Sequence, residues 1–153
     1  MEFDVAVFSS LDRSGYGAII RNDNGEVMAA MTASGPKVST SDEAELLACR
    51  RAIEFAMDAG FTRLIIEGDN SNVIQAISSP LKSFSLFGNV VNDIRCLIWG
   101  LQWTKVCCIR RGANKVAHTL AQYARNTLDE DLYWMEDSPP PALEALYHDS
   151  LAI

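Results

Sequence analysis

The chain is poor in several signals that would narrow its reading at once. No stretch of its 153 residues approaches the roughly 18–20 consecutive apolar residues of a membrane-spanning helix. The start, Met1-Glu2-Phe3-Asp4, has no basic segment followed by an apolar run, so a secretory leader is not expected. Cys49, Cys96, Cys107 and Cys108 lack metal-type spacing, and two of them are adjacent. Free thiols in a reducing, intracellular compartment, nuclear or cytoplasmic, are the expectation. No internal repeat is visible. Residues 126–153 contain no Lys or Arg but seven acidic residues, which accounts for the net charge of −7 and leaves 13 charges of each sign in residues 1–125. A neutral body gives no general pull on a polyanion, so recognition of nucleic acid has to come from local patches.

What is present is ordinary for a globular chain: 48% hydrophobic and 22% charged residues. Phe3–Ser9 reads as a strand with Phe3, Val5 and Val7 on one face and Asp4, Ala6 and Phe8 on the other. A loop through Asp12-Arg13-Ser14-Gly15 leads to a strand over Gly17–Arg21. The turn Asn22-Asp23-Asn24-Gly25 then leads to a third strand over Glu26–Thr32, completing a meander. Thr40 and Glu43 have capping-box spacing. They open a helix over 42–58 with Cys49, Ile53, Ala56 and Met57 on one stripe, stopped by Gly60. Arg63–Gly68 reads as a buried strand, 70–78 as a short helix ending near Pro80, and 81–86 as a loop. A helix over 87–100, a strand over Gln102–Arg110 and a helix over 113–125 complete the body. Trp99 and Trp103 are expected in the core.

The order β-β-β-α-β-α-α-β-α implies an α/β fold, with a five-stranded mixed sheet and helices on both faces. Three strands are antiparallel, then two parallel. A right-handed crossover through the first long helix lays the fourth strand parallel to the first, which brings Asp4 and Asp69 together. Residues 1–125 are expected to form the domain. Residues 126–153 are an acidic, proline-containing tail that docks on it or extends from it. Pro139-Pro140-Pro141 reads as polyproline-like, 142–151 as a short helix, and Leu132–Met135 as apolar enough to dock.

Asp4, Glu45 and Asp69 fall where their elements meet one edge of the sheet. Clustered carboxylates repel, and a hard divalent cation such as Mg²⁺ relieves that repulsion through oxygen ligands. Two such ions about 3.5–4 Å apart can activate water and stabilise a leaving oxygen. Each residue also has a plainer explanation. Asp4 can sit on a frayed strand, Glu45 can answer the helix dipole, and Asp69 can be an N-cap. Glu67 shares a strand face with Asp69 and competes for its role.

Five segments in order carry a resemblance: Phe3-Asp4-Val5-Ala6-Val7-Phe8, Gly15-Tyr16-Gly17-Ala18-Ile19-Ile20-Arg21-Asn22, Glu43-Ala44-Glu45-Leu46-Leu47-Ala48, Ile65-Ile66-Glu67-Gly68-Asp69-Asn70, and Arg111 to Ala121. Over roughly residues 2–125 the chain resembles type 1 ribonuclease H, and most closely the plant RNase H-like domains related to non-LTR retroelement reverse transcriptases. The resemblance implies an RNase H-like fold and hydrolysis of the RNA strand of RNA–DNA hybrids with Mg²⁺ or Mn²⁺. It places Asp4, Glu45 and Asp69 as metal-binding and catalytic carboxylates, and favours Glu45 over Glu43 and Asp69 over Glu67.

The fourth position of the family's carboxylate set holds His118 instead of Asp. His118, Gln122 and Arg125 form a polar stripe opposite Val116, Leu120 and Ala124, so His118 is expected to face outward, either as an assisting catalytic residue or as a plain solvent-exposed one. Its imidazole can ligate a metal or move a proton, with Mn²⁺ tolerating nitrogen better than Mg²⁺. Expected nucleic-acid contacts are Arg110, Arg111, Asn114 and Lys115, with Ser41 and Ser71 at the helix starts; Asp42, beside Ser41, would repel phosphate. The basic handle helix of bacterial members is absent. The reading is an RNA–DNA hybrid endonuclease; the alternative is a catalytically weak or inactive module that binds nucleic acid, or protein through its acidic tail.

Overall fold

In a computed structural model, residues 1–79 and 87–151 are described. The loop expected over 81–86, and Pro80 before it, lie outside the described residues. The strands are β1 (Glu2–Phe8), β2 (Arg13–Arg21), β3 (Val27–Gly35), β4 (Arg63–Gly68), β5 (Trp103–Cys108) and β6 (Leu132–Met135). The helices are α1 (Ser41–Asp58), α2 (Ser71–Ser78), α3 (Gly88–Trp99), α4 (Lys115–Tyr123) and α5 (Leu143–Leu151). The sheet runs in the order β5-β4-β1-β2-β3-β6. β1, β2 and β3 are antiparallel neighbours, while β4 is parallel to both β1 and β5.

Among the described residues the sheet has six strands where the sequence predicts five. The extra one is β6, antiparallel to β3 with Leu132 opposite Thr32 and Met135 opposite Ala29. Four residues are too few for their alternation to read as a strand; pairing with β3 creates it. Tyr133 stacks on Phe55 of α1 and accepts a hydrogen bond from Arg51, so this strand is tied to the body by side chains as well. β2 also starts earlier than expected, at Arg13, because the chain turns through a short 3₁₀ segment at Ser9–Leu11 and Asp12 in the left-handed region.

Local chemistry sets most boundaries. Asn22 Oδ1 accepts from the backbone N–H groups of Asn24 and Glu26, and Gly25 takes φ +81°, closing the β2–β3 turn. Thr40 caps α1 by accepting from Glu43 N at 3.1 Å, and the Glu43 carboxylate reaches back to Ser39 N at 2.9 Å. The polyproline expectation for 139–141 is corrected: Pro140 opens a 3₁₀ turn leading into α5, since the first helical position needs no N–H.

Residues alternate across the central strands. Ala18, Ile20, Ala29 and Met31 pack toward α1 and α3; Ile19 and Ala30 pack toward Val116 and Leu120 of α4. The two tryptophans are not in the core. Trp99 is 90% exposed at the outer end of α3, whose inward stripe is Val91 and Ile94. Trp103 is 43% exposed on edge strand β5, with the Arg63 guanidinium over its ring.

All four cysteines are free. Cys49 is fully buried, and burial, with the charge of Glu45 second, pushes its thiol up. Iodoacetamide on the native chain is expected to label Cys96 and Cys108, with Cys49 labelled only after denaturation. Peptide mass spectrometry reads this directly. Among the described residues no helix is long and apolar enough to cross a membrane.

Candidate active site

Glu2 pairs with Glu67 across the parallel β1–β4 ladder, so two residues on, Asp4 comes beside Asp69. Glu45, the fifth residue of α1 and the start of its second turn, joins the same edge. One carboxylate oxygen from each of Asp4, Glu45 and Asp69 lies within 4.8 Å of the others. Asp4 and Glu45 are buried and Asp69 is partly so. Glu67 stays outside the cluster; its backbone N–H bonds to Met1 O, and its charge acts on the amino terminus.

Asp69 is not an N-cap. Asn70 has that role, accepting from Val73 N at 3.2 Å and donating to Asp42 Oδ1 at 2.9 Å. Asp42 is therefore engaged in holding the starts of α1 and α2 together. Asn114 is fully buried directly behind the cluster. Its Nδ2 donates to Phe3 O at 2.9 Å and more weakly to Asp69 Oδ2 at 3.4 Å. Expected among the nucleic-acid contacts, it is instead placed to hold β1 and Asp69 in register.

Asp4 is oriented on both sides: Val5 N–H donates to Oδ1 at 2.8 Å, and His118 Nδ1 meets Oδ2 at 2.9 Å. His118 is half-exposed on α4, as its polar stripe predicts. α4 can lie this close because β2 presents glycines beneath it. A Cβ on Gly17 would stand 2.1 Å from Ala117 O, and one on Gly15 would stand 2.2 Å from Ala121 O. Thr32 adds a buried hydrogen bond from its hydroxyl to Leu120 O at 2.7 Å.

The electrostatics are those of a site short of positive charge. Burial, then the negative charge of Asp4, push Glu45 up to about 9, with Arg111 acting the other way. Burial likewise raises Asp4, against the Val5 N–H bond that lowers it. Among the described residues Glu45 Oε2 is buried with no hydrogen-bond partner. An orphaned carboxylate oxygen facing two further carboxylates fits a hard divalent cation, and the triad is positioned to hold one. The pH consequence has a definite sign. A carboxyl raised in the folded state stabilises the fold below its ordinary range and loses that contribution as pH rises toward the raised value. Without divalent ions, the chain is expected to lose stability between about pH 5 and 9, and Glu45→Gln to flatten that slope, raising Tm at pH 8 by about 4 °C or more. Added Mg²⁺ or Mn²⁺ is expected to raise the wild-type Tm more at pH 8 than at pH 5.5, and the variant's much less. Thermal melts at the two pH values check both.

The triad forms the floor of a cleft of about 610 Å³. Ser41, Arg111, Lys115 and His118 line it, whereas Arg110 and Ser71 are exposed outside its lining. Sequence reasoning missed part of the wall: Pro141, Glu144, Ala145 and His148 come from the tail. Nothing in their spacing relates them to Asp4; only the return of α5 onto α4 does.

Several known proteins share this arrangement of elements. RNase H1 from Halobacterium salinarum superposes with a TM-score of 0.73 at 22% identity, covering 82% of this chain and 96% of that one. The N-terminal RNase H domain of a Mycobacterium tuberculosis protein gives 0.70 at 20%, covering 82% and 91%. LC11-RNase H1, solved in complex with an RNA/DNA hybrid, gives 0.69 at 16%, covering 82% and 95%. At these identities the likeness is one of fold. No curated protein sequence matches the chain. The family model described as reverse transcriptase-like matches residues 2–124. That span holds the crossover, all three carboxylates and His118, and the chain belongs to this reverse transcriptase-like family, whose fold is that of ribonuclease H.

Proposed function

We propose that the chain is a metal-dependent endoribonuclease that cuts the RNA strand of RNA–DNA hybrids, with residues 1–125 carrying the chemistry. The observation that carries this reading is the three-carboxylate floor of a cleft whose wall holds Arg111 and Lys115. Asp4, Glu45 and Asp69 would hold Mg²⁺ or Mn²⁺, which when bound supplies charge stabilisation and an activated water for phosphodiester hydrolysis. Arg111 and Lys115 draw the phosphate backbone toward that floor, with Arg110 beyond the cleft adding to the same field. Ser41 and Ser71, at the helix starts, can donate to the sugar-phosphate chain. Asn114 keeps Asp69 and β1 in place from behind. With Nδ1–H donated to Asp4, His118 has a lone pair on Nε2 for taking a proton.

A labelled RNA–DNA hybrid incubated with the chain in Mg²⁺ and in Mn²⁺ tests the proposal. Cutting confined to the RNA strand and abolished by EDTA is the expected result. No cutting in either metal, from protein with a cooperative melt, sinks it. One observation favours a second reading, a binding module of the same fold: His118 stands where the family has a fourth carboxylate and occupies an oxygen of Asp4. In that case the hybrid binds without being cut.

A further inference from the structure

The family match ends at residue 124, yet the cleft does not. Its outer wall is α5, which contributes Glu144, Ala145 and His148 to the same lining as Arg111 and Lys115. α5 is held there by the turn before it, where Ala142 is fully buried against Val116 and Leu120, and by its own Ala145 and Leu146 packed beside them. It is also held by charge: Arg21, itself paired to Glu2, meets Asp149 at 2.8 Å. The helix is therefore seated on the body and is not a free tail.

Glu144 stands highly exposed at the rim, and its only ion partner among the described residues is His148 at 3.8 Å, one turn on. A carboxylate lining the same cleft as Arg111 and Lys115 repels any phosphate that approaches them.

We propose that α5 is an inhibitory wall of the cleft, in which Glu144 weakens its hold on the phosphate backbone of the hybrid. The wall weakens hybrid binding until it is neutralised or displaced. The inference rests on the nucleic-acid reading of the cleft. It assigns the acidic tail a role inside the site, on a segment that the family motifs do not include.

The test is hybrid affinity, measured by fluorescence anisotropy at low salt with the full chain and three variants: Glu144→Lys, Glu144→Gln and Glu130→Lys. Glu130 is exposed, lies outside the cleft, and changes the net charge as much as Glu144→Lys does. The expected result is Kd tightened about three- to tenfold by Glu144→Lys, less by Glu144→Gln, and least by Glu130→Lys. With cleavage followed in parallel, KM is expected to fall and kcat to hold. Equal effects of the two lysine variants overturn the wall, since charge alone would then explain them. A hybrid bound by Glu144→Lys but not by wild type supports it most directly. If wild type binds and Glu144→Lys changes nothing, this inference fails and the proposed function stands. If no variant binds a hybrid, the proposed function fails and takes the inference with it.

Discussion

Asp69→Asn is expected to lower hybrid cleavage by about a hundredfold or more, while making the metal-free chain slightly harder to melt. The two signs come from one cause. Asp69 contributes one of three oxygens within 4.8 Å of each other, and its charge is among those that raise Glu45 and Asp4. Asn keeps the volume and can still accept a weak hydrogen bond from Asn114, so the fold has no reason to change. Asn70 remains as the α2 cap. Removing the charge relieves repulsion when no cation is present and removes a ligand when one is. Cleavage rates in both metals, with thermal melts in EDTA and in Mg²⁺, read both arms. A variant that cuts as fast as wild type would remove Asp69 from the site.

The second large effect is on the fold. Gly17→Ala is expected to cost about 3 kcal/mol or more and to lower Tm by about 10 °C. The added Cβ would lie 2.1 Å from the carbonyl oxygen of Ala117 and 2.4 Å from the amide nitrogen of Ala121. Both are backbone atoms of a helix, which cannot yield as a side chain can. α4 must lift from the sheet, carrying His118 away from Asp4 and Lys115 away from the cleft, so activity should fall beyond what the melting curve explains. Gly112→Ala is the control. A Cβ there meets nothing within 4 Å, although the residue adjoins Arg111. Melts and cleavage rates of the two variants at the same temperature separate a packing effect from a general intolerance to change.

The sequence is legible where a residue's role follows from its element. The right-handed crossover alone brings Asp4 beside Asp69, and the polar stripe of α4 turns His118 outward. The same reasoning stops where the deciding partner is distant. Gly15 and Gly17 stand out in sequence only as part of a motif; the helix that presses on them lies about a hundred residues later. Trp99 and Trp103 carry large apolar surfaces, but position at a helix end and on an edge strand outweighs hydrophobicity. β6 is too short to show a period, and its strand character comes from β3. Asn114 reads as a polar residue beside a basic patch, and only its burial identifies it as a strut.

The β3–β6 pairing has a consequence for how the protein behaves in company. Without the last 28 residues, Val27–Gly35 would present a row of unpaired N–H and C=O groups on a strand rich in Ala and Met. Such a border is a template for other chains, and native sheets cover or charge it. β6 covers it, so the tail keeps molecules apart as well as shaping one of them. A truncated chain would be prone to self-association through that border even with its carboxylate cluster intact.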